Sequence, residues 1–209
     1  MPKISFYFIC FATIMAFLKY NKFKKSKYQY FSLYIGFIFI LETLSLKFFN
    51  FNNLPFYNTL IILSFLFYFY FYKNIFRIKK SQRLMSIFSI LFILFGLFDL
   101  IILKNNFLNN FLNNTLVFGS FLLIITIIVF LIEIVKNEDI VFNIKKSFIF
   151  WVSIGILLFY IGIFPIMITI NYLKYGSYQI YDLVITILNF IMYSCIIIGY
   201  LYSDPKYNY

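Results

Sequence analysis

Apolar residues in this chain fall in long runs, and short connectors between the runs hold nearly all of the charge and most of the asparagine. A hydrocarbon core about 30 Å thick is crossed by about 20 apolar helical residues, with a range of about 17–25. Seven runs approach that length, at about 4–20, 31–49, 54–72, 84–103, 115–135, 147–170 and 183–202. The pattern predicts an all-α fold: a polytopic membrane protein with a seven-helix transmembrane bundle, forming one domain over residues 1–209. The first run carries its positive charge mostly after the apolar stretch, and no small-residue cleavage site follows Phe17. It therefore reads as a helix rather than a removable leader.

Composition sharpens this picture. Of 209 residues, 63% are hydrophobic and 12% charged, and the mean hydropathy is +0.91. A soluble domain carries about 25% charged residues, so most of these side chains must face lipid. The 32 phenylalanines and 19 tyrosines reflect a compositional bias and are not taken as a stacking platform. The net charge of +11 sits beside the apolar runs, which fits membrane topology rather than nucleic acid.

Loop charge sets the expected orientation. The connector after the first run carries Lys19, Lys22, Lys24, Lys25 and Lys27; that after the third, Lys73, Arg77, Lys79, Lys80 and Arg83; that after the fifth, Lys136, Lys145 and Lys146. The alternate connectors hold little more than Lys47, Lys104 and Lys174. Short cytoplasmic loops collect Lys and Arg, so the N-terminus is expected outside and the C-terminus in the cytoplasm. The expected setting is a bacterial inner membrane, with the lipid bilayer as the first partner and a possible protein partner at the cytoplasmic face.

The catalytic vocabulary is thin. There is no histidine, and the two cysteines, Cys10 and Cys195, lie in separate apolar runs without metal or redox spacing. Phosphate-loop, nucleophile-elbow and zinc-protease motifs are missing, and the last run lacks the lysine a retinal protein requires. No enzyme activity, cofactor or metal is expected.

What remains is polar residues inside the runs. An ionisable group at the centre of a span costs at least about 2.5–3.5 kcal/mol, so it is a candidate for function. Glu42 lies in FIFILETLSLKFF and Asp99 in FILFGLFDLIIL. At about 1.5 Å per residue, they sit about 10 Å and about 6 Å from the outer ends of their helices, where they could line one outward-opening cavity. Asn189, in the middle of the last run, reads as interhelical glue. Pro165, after Gly162, removes a backbone hydrogen bond and should bend the sixth run. Glu133 reads as an interfacial side chain, and Trp151 as part of an aromatic belt. A faint echo pairs Ile35-Gly36 with Ile154-Gly155, and Tyr57-Asn58 with Tyr181-Asp182. It could mark a three-plus-one-plus-three duplication, as in some small transporters, but coincidence explains it in a chain this rich in Ile and Tyr.

Three stretches carry a resemblance: the segment from Glu42 through FNFNNLPFYNTLIILSFLFYFYFYKN, FLIEIVKNEDI, and FWVSIGILLFYIGIFP with ILNFIMYSCIIIGYLY. Together they resemble a loosely defined group of small seven-helix proteins from Bacteroidetes-type bacteria. The resemblance runs from about residue 30 onward and rests on soft apolar motifs. It implies a bacterial inner-membrane protein, and similar helical modules serve as sensing parts of signalling proteins.

Three functions fit these observations. The preferred one is a receptor-like sensory or signalling subunit, reading a ligand or membrane state near Glu42, Asp99 and Pro165 and passing it through the basic loops to a separate protein. A small transporter or channel needs a polar path through the whole membrane, and the inner halves of the runs look poor in polar residues. A membrane accessory or scaffold would use the basic loops to attract a partner or anionic headgroups, at about 1 kcal/mol per charge.

Overall fold

A computed structural model of the chain describes residues 2–24, 26–47, 53–103, 106–136, 143–169 and 178–204. Every long element among them is a helix: α1 (Pro2–Leu18), the single turn α2 (Tyr20–Phe23), α3 (Gln29–Lys47), α4 (Leu54–Ile75), α5 (Lys79–Ile101), α6 (Asn113–Val135), α7 (Phe148–Thr169) and α8 (Tyr178–Tyr202), with a 3-10 turn at Ile144–Lys146 before α7. No strand occurs among the described residues. Five helices, α4 to α8, are long and apolar enough to cross a membrane, while α1 and α3 are apolar but offer shorter stretches. The chain therefore has the architecture of a multi-pass membrane protein.

Helix is dictated by the solvent these runs prefer. In hydrocarbon no water satisfies a backbone N–H or C=O, so each segment must close its hydrogen bonds internally. Pro55 in the first turn of α4 costs nothing there, because that N–H has no intrahelical acceptor anyway. The expected boundaries change most at two places: the last helix begins at Tyr178 rather than at residue 183, and α5 also begins early. Lys79, Lys80 and Arg83 belong to the first turns of α5 and not to a connector. Hydropathy stops at the last apolar residue, whereas lysine, glutamine and arginine are good helix formers and extend the helix into the polar zone.

The long helices form a closed ring. Each packs on its neighbours in sequence, α8 returns to α1, and α4 also packs on α6. Side chains of α4 reach across to α7 as well: Phe65 lies 5.3 Å from Tyr160 between ring centroids, and the Tyr72 and Ser153 hydroxyls are 2.7 Å apart. Helix α4 thus packs on α3, α5 and α6 and reaches α7, and it has the lowest mean hydropathy of the five long helices.

Inside and outside are sorted in the sense of a membrane protein. Large apolar side chains point outward, such as Leu94 at 57% and Ile101 at 70% exposure on α5. Asn58, Asp99, Thr115, Thr126 and Ser153, at 0%, point inward.

Hydrogen bonds tie each end of the bundle. At one end, Lys22 Nζ donates to the Ser203 carbonyl and Lys27 Nζ to the Asn74 carbonyl. There the Asp204 N–H reaches the Lys146 carbonyl at 2.9 Å. The three cationic connectors and the segment after α8 therefore share one end. Trp151 stands there too, its Nε1 donating to the Lys145 carbonyl at 2.8 Å.

Glu133 does more than sit at an interface. It is 5% exposed, and its Oε1 accepts the Arg77 N–H at 2.8 Å and the Ile78 N–H at 3.2 Å. It anchors the turn that leads into α5, where backbone donors lack intrahelical partners. At the opposite end, the buried amide of Asn58 donates to the Phe107 and Asn110 carbonyls at 2.8 Å each and accepts the Leu112 N–H at 3.0 Å. That clasp fixes the connector between α5 and α6 onto the start of α4.

The tightest helix pair is α7 with α8, and glycine makes it possible. A Cβ on Gly155 would lie 2.8 Å from the Cys195 Cβ and 2.9 Å from the Met192 carbonyl oxygen. A Cβ on Gly162 would meet only the side chain of Leu188, which can rotate away. We expect Gly155→Ala to lower stability by about 1–3 kcal/mol, despite the helix propensity that alanine adds. Gly162→Ala should cost clearly less. Unfolding midpoints in detergent measure both, and equal effects would contradict close α7–α8 backbone contact.

Candidate functional site

The cavity that unites polar side chains opens at the end opposite the cationic connectors. Its volume is about 540 Å³, and its walls come from α3, α4, α6, α7, α8 and the connector before α6. Glu42 enters from α3, Tyr57, Ser64 and Phe65 from α4, Tyr160 and Met167 from α7, and Tyr181, Asp182 and Asn189 from α8. The volume falls within the roughly 300–1,000 Å³ of small-molecule sites. A larger crevice, about 800 Å³, lies between α1 and α3 and is lined by side chains such as Cys10, Phe17, Gly36 and Phe37. It carries no charged group, and such a crevice in a bilayer offers room for acyl chains rather than for recognition.

Each polar wall residue is held differently. Glu42 is half-buried, and no hydrogen-bond donor or cation among the described residues is paired with its carboxyl. Asp182 stands exposed at the mouth, in the first turns of α8. Asn189 faces the same space. Its amide donates to the Ile185 carbonyl of its own helix at 3.0 Å, so it is a cavity residue and not interhelical glue. Tyr160, 6% exposed, lines the deeper part of the wall.

The expectation that Asp99 shares a cavity with Glu42 does not hold. Asp99 is fully buried between α5 and α6, where Oδ2 accepts the Thr115 hydroxyl at 2.6 Å and Oδ1 the Asn114 amide at 3.0 Å. Helix α4 stands between α3 and α5 in the ring, so similar depth in two helices does not bring the two carboxyls together. Asp99 is a packing device. Pro165 also lies apart: it is exposed, and α7 runs through it to Thr169. Its carbonyl accepts the Thr169 hydroxyl at 2.9 Å.

Below the cavity the interior is aromatic. Tyr68 joins Tyr160 at 6.2 Å and Tyr34 at 5.5 Å between centroids. Toward the cationic end Phe148 packs on Tyr200 at 4.7 Å, Phe23 at 5.1 Å and Phe31 at 5.7 Å. Hydroxyl contacts continue through this layer, from Tyr72 with Ser153 to Ser32 with Tyr200 at 2.8 Å. The inner halves are therefore less devoid of polar groups than hydropathy suggests, because tyrosine and serine pass inside apolar runs.

The cationic positions Lys22, Lys24, Lys27, Arg77, Lys79, Lys80 and Arg83 are all exposed and share the far end of the bundle. Lys25, Lys104 and Lys174 lie outside the described residues. No group of three or more Cys, Asp or Glu side chains converges among the described residues.

Sequence reasoning missed Tyr57, Tyr160, Tyr181 and Asp182 as wall residues. A signal existed in the Tyr57-Asn58 and Tyr181-Asp182 echo, whose tyrosines and aspartate meet at this cavity. No family model matches the chain, and no curated protein or solved structure matches it either.

The two carboxyls should respond differently to substitution. Thr115→Val, which removes a hydroxyl bonded to buried Asp99, should lower stability by about 1–3 kcal/mol. Glu42→Gln should leave the unfolding midpoint nearly unchanged, because no donor loses its acceptor. A destabilised Glu42→Gln protein, seen in the same detergent melts, would make Glu42 structural.

Proposed function

We propose that the chain is a receptor-like sensory subunit of a bacterial inner membrane, acting through a separate protein. In this reading seven helices span the bilayer, α1 and α3 included, with the N-terminus outside and the C-terminus in the cytoplasm. Kinship with the small seven-helix proteins of Bacteroidetes-type bacteria is part of the same proposal. One observation carries it: a cavity with two carboxyls opens at one end and stops at an aromatic layer, while the exposed cations gather at the other. Such a division suits a ligand site at one face and an output surface at the opposite face. A basic cytoplasmic end follows the positive-inside rule.

A second reading, a small transporter, draws support from the hydroxyls that continue below the cavity toward the cationic end. It requires the aromatic layer to open in another state. Flux separates the two readings: proteoliposomes should show no protein-dependent uptake under the receptor reading, and saturable uptake sensitive to Glu42→Gln would replace it with transport.

Orientation and output have their own test. In a Cys10→Ala, Cys195→Ala background, Lys24→Cys and Arg83→Cys should be shielded from an impermeant thiol reagent in intact cells, and Asn109→Cys should react. A photo-crosslinker at Lys80 should capture one protein in native membranes, with a yield that Glu42→Gln changes. Labelling of Lys24→Cys and Arg83→Cys from opposite sides would overturn the topology.

A further inference from the structure

We propose that the Glu42 cavity takes an organic cation with an aromatic or bulky apolar body, of the ammonium or phosphonium type. The inference rests on the reading of this cavity as a ligand site and names the class of molecule it recognises.

Charge gives the sign. Glu42 and Asp182 face one cavity, and none of its wall residues is Lys or Arg. Low-dielectric walls focus a field of one sign and raise the local concentration of the opposite ion. Among the described residues an anion would meet two acidic side chains and no compensating cation in the cavity wall, which disfavours phosphates and carboxylates.

The walls give the body. Tyr57, Phe65, Phe111, Phe159, Tyr160 and Tyr181 surround the space. A cation against aromatic faces gains about 0.5–2 kcal/mol, and such cages are the usual way proteins hold quaternary ammonium groups. A bare metal ion would leave most of about 540 Å³ unfilled, and its oxygen ligands would be too few. A sugar-like molecule would find few polar partners beyond Ser64 and Asn189.

Two further groups point to an occupant. Tyr160 is 6% exposed and lines the cavity, so its ring is held in place against any occupant. Asn189 commits its amide N–H to Ile185, which leaves its carbonyl oxygen for an ammonium donor.

The test uses two ions of one shape and opposite charge, tetraphenylphosphonium and tetraphenylborate, with purified full-length protein in detergent. The readout is protection of Asn189→Cys from a thiol reagent, in the Cys10→Ala, Cys195→Ala background, together with calorimetric binding to the unmodified chain. Tetraphenylphosphonium should protect and bind saturably. Glu42→Gln should weaken it about tenfold or more, the equivalent of about 1.4 kcal/mol, and Asp182→Asn by a smaller factor.

Equal protection by tetraphenylborate, or undiminished binding of the phosphonium to Glu42→Gln, would overturn the cation inference and leave the cavity as a ligand site. Failure of both ions to protect, with Asn189→Cys still reactive, would overturn the ligand-site reading itself. Melting curves of each variant separate lost binding from lost folding.

Discussion

Lipid tails are as apolar as leucine, so moving a phenylalanine from the bilayer into a helix interface releases no water and gains only packing. That constraint governs this chain more than any single contact. With 63% hydrophobic residues, almost any helix face could point inward without penalty. The arrangement is chosen by the minority of positions where lipid and protein differ: glycines that let backbones approach, and polar groups that need a partner. Gly155 against Met192 and Cys195 fixes α7 on α8. Asp99 against Asn114 and Thr115 fixes α5 on α6. Asn58 and Glu133 gather connectors at opposite ends.

These same groups separate structure from candidate function. Asp99, Asn58 and Glu133 are buried polar groups already bonded to neighbouring segments, so they tie the bundle together. Among the described residues Glu42 has no such donor. It sits among aromatic rings in a space large enough for a small molecule, with Asp182 at the entrance. A carboxyl among apolar walls is costly, and one not offset by a partner among the described residues is the natural place to look for an external one. The molecule is therefore polarised, with acidic groups around a cavity at one end and exposed cations at the other.

The helical class, the approximate position of each long helix and the gathering of cations at one end were legible in the chain. They follow from run length and loop charge, which are local properties. The limits failed most at α5, where Lys79 to Arg83 are polar and yet helical, and at α8, which begins at Tyr178. The site was legible in part. Glu42 stood out as a charge in an oil-soluble run, but Asp99 stood out equally and lies outside the cavity, bonded to Asn114 and Thr115. Tyr160 and Tyr57 could not stand out, because tyrosine is common throughout, and Asp182 looked like an ordinary water-boundary residue. Asn189 was visible as polar, and its role was misread because the face it presents depends on how α8 is rotated.

The sequence by itself determined that the chain forms apolar helices and that its positive connectors alternate, because the bilayer imposes a length and leaves no other way to satisfy the backbone. Only the tertiary structure decided which polar groups meet. Distance between side chains on different helices depends on ring order and helix rotation, and in an apolar solvent those are set by a few glycines and hydrogen bonds whose partners lie far apart in the chain. Placing α4 between α3 and α5 separated Glu42 from Asp99 and gave Glu42 the tyrosines and Asp182 instead.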